Sequence, residues 1–255
     1  MLLFSMCDKS ITIVLRGDSF RKVVHGEPFP ESDMKKSDKS CDAESNQIFC
    51  LNSIYYFIIL PYIERGYSIN ISGIIYEFEK NALIRSFFLE KGLNIDIREI
   101  SRNNTNQVTT FISAFERAAT AAPDSELFII LRLDQTFMKR IPLESTLINK
   151  ICYPGNGCCS GAWIPKYGIA DHIFVVGNQM VDVFMEALKV CCEKSDINHL
   201  HNILTYLEST QISNTLPFWF SATDTTDHFY IDLQRSGHEE QYAERLKELT
   251  KMWDL

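Results

Sequence analysis

The sequence predicts an α/β fold, a mostly parallel sheet flanked by helices, with an α+β extension at its C-terminal side. Three observations carry this. Strand-like and helix-like segments alternate from Ser10 to Leu133, the pattern of βαβ units with crossover helices. The run Leu127–Leu133 (Leu-Phe-Ile-Ile-Leu-Arg-Leu) is apolar almost throughout, as in a strand buried on both faces. After Pro142 the alternation stops and shorter strands and helices follow.

Taken in order, Ser10–Leu15 is an apolar, β-branched strand, followed at once by the loop Arg16-Gly17-Asp-Ser-Phe-Arg21. From Gly26 to Asn46 the composition turns to Pro, Ser, Asp and Lys, which reads as an exposed loop. Ile54–Arg65 is helix-length and ends at Gly66, suited to the left-handed position that closes a helix. Tyr67–Tyr76 reads as the second strand, Asn81–Lys91 as a helix closed by Gly92, and Leu93–Ile100 as the third strand. Thr105–Ala121 places Val108, Phe111, Ile112 and Phe115 at helical spacing, with Pro123 beyond its end. The fourth strand is Leu127–Leu133. Further on, Cys158–Ile164 and Ile169–Val176 read as strands, and Gln179–Glu193, Asn198–Glu208 and Glu239–Met252 as helices. The expected organisation is one domain over residues 1–255, with a ligand-binding half at 10–137, an acceptor-side half at 138–237 and a terminal helix at 238–255.

Composition narrows the function. The chain is 45% apolar and 12% aromatic, enough for a sizeable core. Its formal charge is −8, and its 25 Lys and Arg residues form no basic stripe, so nucleic acid is not an expected partner. Met1–Met6 is too short for a signal-peptide core, and Ile54–Ile63 is too short to span a bilayer and contains Pro61. A cytoplasmic protein without an integral membrane segment is expected. Eight cysteines include two vicinal pairs and no C-x-x-C, which argues for reduced thiols over a disulfide framework. Cys152, Cys158, Cys159 and His172 lack the paired short spacings of structural zinc.

The candidate site residues are charged groups at strand ends. In open α/β sheets ligands bind beyond the carboxyl ends of the strands. Arg132 and Asp134 stand there after the fourth strand, although an Asp in that position also serves as an ordinary turn residue. Arg16, Gly17 and Arg21 follow the first strand; glycine permits close backbone approach and guanidinium groups bind phosphate oxygens in pairs, which suits a nucleoside diphosphate. The loop matches neither the G-x-x-x-x-G-K-[ST] nor the G-x-G-x-x-G pattern. A cation held by Asp134 and a diphosphate would offset the charge, magnesium being commonly bound in this way. Trp219 and Phe220 lie beside Asp224, Asp227 and His228, and aromatic faces with carboxylates are what a sugar-binding surface uses.

Four stretches together resemble a known family: the first strand with Arg16-Gly-x-x-x-Arg21, Ile59-Leu-Pro-Tyr-Ile63, Arg132-Leu-Asp134, and Tyr167-Gly-Ile-Ala-Asp-His-Ile-Phe-Val-Val-Gly177. They look like the small GT-A-type glycosyltransferases, nucleotide-sugar-dependent enzymes of microbes, algae and large viruses that build surface glycans, over roughly residues 10–235. The resemblance implies a GT-A-like, Rossmann-like fold. It also implies a nucleoside-diphosphate sugar as donor and a glycan as acceptor. In this family an Asp-x-Asp after the fourth strand holds a metal and the sugar diphosphate; Arg132-Leu-Asp134 stands at that position with one carboxylate, so Mn2+ or Mg2+ would fall to Asp134. Asp171 becomes the candidate catalytic residue, as a general base on the acceptor hydroxyl or as a donor-sugar ligand, and His172, Trp219 and Asp224 the sugar or acceptor contacts. Two alternatives stand beside transfer of a sugar: a sugar-phosphate nucleotidyltransferase, and a catalytically inactive nucleotide-sugar-binding scaffold.

Overall fold

The computed structural model describes residues 9–17, 19, 41–101, 107–138, 140, 147–153, 173–193, 203, 207, 215–217, 230–231 and 243–253. Its centre is a seven-stranded sheet built from β1 (Ser10–Gly17), β2 (Ser68–Tyr76), β3 (Asn94–Ile100), β4 (Leu127–Arg132), β6 (Ile151–Tyr153), β7 (Ile173–Gly177) and β8 (Thr215–Pro217), in the order β3-β2-β1-β4-β7-β6-β8. β1 pairs in parallel with β2 and β4, β2 with β3, and β6 with β8, while β7 runs antiparallel to both β4 and β6. Six strands therefore share one direction and β7 is reversed. A second, two-stranded antiparallel pair joins β5 (Thr136–Phe137) to β9 (Tyr230–Ile231).

Side-chain alternation sorts the core into two layers. Ile11, Ile13 and Leu15 of β1, with Ile129 and Leu131 of β4, face α1 (Cys41–Ile54) and α5 (Ala243–Met252). Val14 of β1, with Phe128 and Ile130 of β4, faces α3 (Gln107–Ala121) and α4 (Val181–Glu193). All six residues of β4 are buried, as expected of a strand covered on both sides. α2 (Asn81–Glu90) contacts β3. Gly66 and Gly92 take φ values of +82° and +73°, and the amides of Tyr67 and Leu93 reach back to the carbonyls of Tyr62 and Phe88 at 3.1 and 3.0 Å; both helices close as the glycines predicted.

Several elements differ from expectation. The stretch 41–46 is helical rather than loop, because Gln47, Cys50, Leu51 and Ile54 form one buried face that the polar residues between them conceal. α1 continues through a five-residue π-helical turn, Tyr55–Ile59, into Leu60–Ile63. Pro61 explains the widening: it has no N–H to give and its ring crowds the carbonyl four residues back, a conflict that a longer-range turn relieves. β1 runs two residues past Leu15. β5, β6, β8 and β9, of two or three residues each, are too short to show periodicity in sequence. The expected strand Cys158–Ile164 and residues 169–172 of the next one lie outside the described residues. No helix among the described residues is long and apolar enough to cross a membrane, and Cys50 and Cys152 are buried.

Candidate functional site

The order β3-β2-β1-β4 has a topological consequence. From β1 the chain moves outward to β2 and β3, then returns to the other side of β1 as β4. Connections diverge between β1 and β4, and such a switch point opens a crevice at the strand carboxyl ends. Arg16 and Arg132 are register partners on these two strands, so both flank the crevice from the same face of the sheet.

Each guanidinium is buried. Arg16 is 1% exposed, and its guanidinium carbon stands 4.3 Å from the ring centroid of Phe111 in α3, a cation–π contact. Alternation from Val14 carries Arg16 onto that face. Gly17 follows with φ +87°, and among the described residues beyond its chain neighbours no atom lies within 4 Å of where a Cβ would stand; its left-handed backbone is one that glycine adopts without strain. Ser19 is then anchored, its hydroxyl donating to Asn81 Oδ1 at 2.6 Å. Asn81 in turn donates to the carbonyl of Tyr76 at 2.8 Å and to Glu99 Oε2 at 2.9 Å. Ser19 is thereby tied to the ends of β2 and β3 through one asparagine.

At the end of β4 the side chains form a buried polar group. Arg132 Nε donates to Asp134 Oδ1 at 2.9 Å and Nη2 donates to Oδ2, a two-pronged guanidinium–carboxylate pair with side-chain exposures of 7% and 1%. Gln135 Nε2 adds a second donor to Oδ1 at 3.3 Å, while Gln135 Oε1 is buried with no hydrogen-bond partner among the described residues. The turn that carries them is clamped by α1. Gln47 Nε2 donates to the carbonyl of Leu133 at 3.0 Å, Cys50 Sγ lies 3.2 Å from Thr136 Oγ1, and the amide of Phe137 donates to Ser53 Oγ at 3.0 Å. Because β7 is reversed, its first residue, Ile173, pairs with Leu131, and the chain enters β7 at the same end of the sheet.

Of the sequence-predicted site residues, the structure brings together Arg16, Gly17, Arg132 and Asp134. Arg16 and Gly17 close the strand itself, where the sequence reading had begun a loop. Arg21, Asp171, His172, Trp219 and Asp224 lie outside the described residues. The positioning residues Gln47, Ser53, Asn81 and Gln135 were not anticipated. Gln47, Cys50 and Ser53, spaced by three, are small polar groups on the face that also carries Leu51 and Ile54, and polar residues on an apolar helical face were the signal available.

A divalent cation at Asp134 would need carboxylate oxygens open to it. Both oxygens of Asp134 accept from the Arg132 fork, and no group of three or more His, Cys, Asp or Glu able to hold a metal occurs among the described residues. An ion at Asp134 would therefore share the carboxylate with the Arg132 fork.

No family model matches the sequence, and no curated protein matches it. Among solved structures, a glycosyltransferase involved in the glycosylation of the major capsid of PBCV-1 aligns over 95% of this chain and 99% of its own, at 12% identity and a TM-score of 0.45. A cytidylyltransferase from Leptospira borgpetersenii aligns over 96% of this chain and 94% of its own, at 11% identity and a TM-score of 0.48. A nucleoside-diphosphate-sugar pyrophosphorylase from Vibrio cholerae aligns over 93% of this chain and 99% of its own, at 11% identity and a TM-score of 0.53. The last overlap, together with the strand order, shows the fold to be the Rossmann-like, GT-A type: a mostly parallel sheet flanked by helices.

Proposed function

We propose that the protein is a glycosyltransferase that takes a sugar from a nucleoside-diphosphate donor and passes it to a glycan acceptor. The observation that carries this reading is the pair Arg16 and Arg132, in register across the switch point of the sheet, with Gly17 turning away at φ +87° beside them. Two guanidinium groups held at strand carboxyl ends suit a diphosphate. In the reaction the acceptor hydroxyl attacks the anomeric carbon, the bond from that carbon to the diphosphate oxygen breaks, and the diphosphate leaves with the electron pair. Charge gathering on that oxygen is what preorganised cationic donors stabilise. Arg21 is assigned to the same diphosphate. Asp171, two residues before Ile173, is assigned to the acceptor proton or to the donor sugar, and His172, Trp219 and Asp224 to the sugar or acceptor. The ring of Trp219 would stack on a sugar face and Asp224 would accept its hydroxyl hydrogens.

A second reading, a nucleotidyltransferase joining a nucleoside triphosphate to a sugar phosphate, is favoured by the overlap with the Vibrio enzyme. Products separate the two. A thermal-shift panel of nucleoside diphosphates and their sugars identifies the ligand, since binding to the folded state raises apparent stability. Incubation with the stabilising nucleotide sugar and glycan acceptors then yields free nucleoside diphosphate if sugar is transferred. Pyrophosphate release from a triphosphate and a sugar phosphate supports the second reading. Binding without turnover in either mixture makes the protein a scaffold and refutes both.

A further inference from the structure

The strand-end carboxylate is committed to an arginine. Asp134 is buried at 1% exposure, Arg132 donates to both of its oxygens, and Gln135 Nε2 contributes a second hydrogen bond to Oδ1. An ion such as Mg2+ seeks near-octahedral oxygen ligands at about 2.0–2.1 Å. At either oxygen it would share the carboxylate with the fork and remain beside that guanidinium, itself 6% exposed, where little water screens the repulsion between two cations. The turn around the pair is not free to open cheaply. Gln47, Cys50 and Ser53 of α1 hold the backbone or side chains of Leu133, Thr136 and Phe137, and Leu133, Thr136 and Phe137 are fully buried.

Resting on the reading that this site binds a nucleoside diphosphate, we infer that it does so without a divalent cation: the Arg132 guanidinium, oriented by Asp134, takes the place beside the carboxylate that the ion would need. Asp134 is then a positioning residue. It fixes which way the guanidinium plane lies, and Gln135 and α1 fix Asp134. A planar, permanently charged group held in a fork suits diphosphate oxygens, and it asks for no metal to be recruited with each donor.

Titration calorimetry on the full chain tests this, with UDP, GDP, CDP and dTDP each measured in EDTA and in MnCl2. The expected result is that at least one nucleotide binds, with affinities in the two conditions within about threefold. Binding at least tenfold tighter in MnCl2 overturns the inference and leaves the proposed function standing. Absence of binding by every nucleotide in both conditions overturns the proposed function, and this inference with it.

Arg132→Ala adds a readout that a purely structural role would not move. In EDTA it should lose about 10- to 100-fold in affinity, the scale of a charge-assisted hydrogen bond. In MnCl2 part of that loss should return, because the substitution uncovers the Asp134 carboxylate and creates a metal dependence absent from the wild type. Unchanged affinity in EDTA would remove Arg132 from the diphosphate, and equal losses in EDTA and MnCl2 would argue against the masked carboxylate. Should Arg132→Ala fail to fold, Arg132→Lys keeps the charge without the fork, and the wild-type comparison decides by itself.

Discussion

The contact between Arg16 and Phe111 makes a quantitative prediction, best read as a double-mutant cycle of Arg16→Met and Phe111→Leu. With the guanidinium carbon 4.3 Å from the ring centroid and Arg16 1% exposed, the cation–π term should sit at the desolvated end of its range, about 2 kcal/mol. Phe111 also meets Phe174 at 5.6 Å and Phe184 at 6.0 Å, and aromatic pairs add about 0.5–1.5 kcal/mol each beyond area burial. Phe111→Leu alone should therefore cost about 3–5 kcal/mol. The ring–ring part does not involve Arg16, so it cancels in the cycle and leaves a coupling of about 2 kcal/mol, roughly 30-fold in the folding equilibrium. Urea unfolding of the four proteins supplies the numbers, from midpoints at unchanged m. A coupling below about 0.5 kcal/mol would refute the claim that the ring holds the cation in place.

Arg16→Ala and Arg21→Ala should each weaken nucleoside diphosphate binding by about 1.5–3 kcal/mol while sparing the nucleoside; equal losses for both ligands, by calorimetry, would mean the arginines do not touch phosphate. Asp171→Asn should cut turnover severely with donor affinity within a few fold if Asp171 is the base, because the lost interaction belongs to the transition state. If it holds the donor sugar, nucleotide-sugar affinity should fall and diphosphate affinity should not, and full turnover would exclude both roles. Burial, with Tyr67 adding a smaller repulsion, pushes the Tyr62 phenol well above its ordinary value. The folded state keeps it neutral, so this contribution to stability is complete below pH ~10 and declines above it as the unfolded chain ionises. Tyr62→Phe should flatten that alkaline decline at little cost, since the hydroxyl is buried without a partner; an unchanged decline in urea midpoints between neutral pH and pH ~11 would refute it.

Much of the first half of the fold was legible because its elements are long enough to show their period. β2 and α2 lie within two residues of their expected bounds, and β4 is buried along its length as its apolar run implied. The start of α1 was hidden by Asp42, Glu44, Ser45 and Asn46, whose polarity reads as loop until the buried face at Gln47, Cys50, Leu51 and Ile54 is seen. Arg16 misled in a related way. A charge after an apolar strand looks like its boundary, yet here the Phe111 ring and the α3 layer cover it and the strand continues. The partners of Asp134 were equally out of reach: the Arg132–Asp134 spacing was visible, but that one side chain bonds both oxygens of the other depends on two residues at the same strand end lying on one face. The clamps from Gln47 and Asn81 join segments far apart in the chain, and no local pattern announces them.

That distance has a consequence for how the molecule is made. β1 is the first strand among the described residues and lies inside the sheet, between β2 and β4, and its contact with the β4 region, between the hydroxyls of Thr12 and Ser125, spans 113 residues. At about 5–20 residues per second a ribosome needs roughly 6–23 s to supply that partner once Thr12 has been added. For that interval Ile11, Ile13 and Leu15 belong to a nascent strand whose β4-facing edge is unpaired, the state most open to pairing with another chain. The Arg16–Arg132 crevice cannot exist until it ends, and the sheet is completed later still, when β6, β7 and β8 join beyond β4.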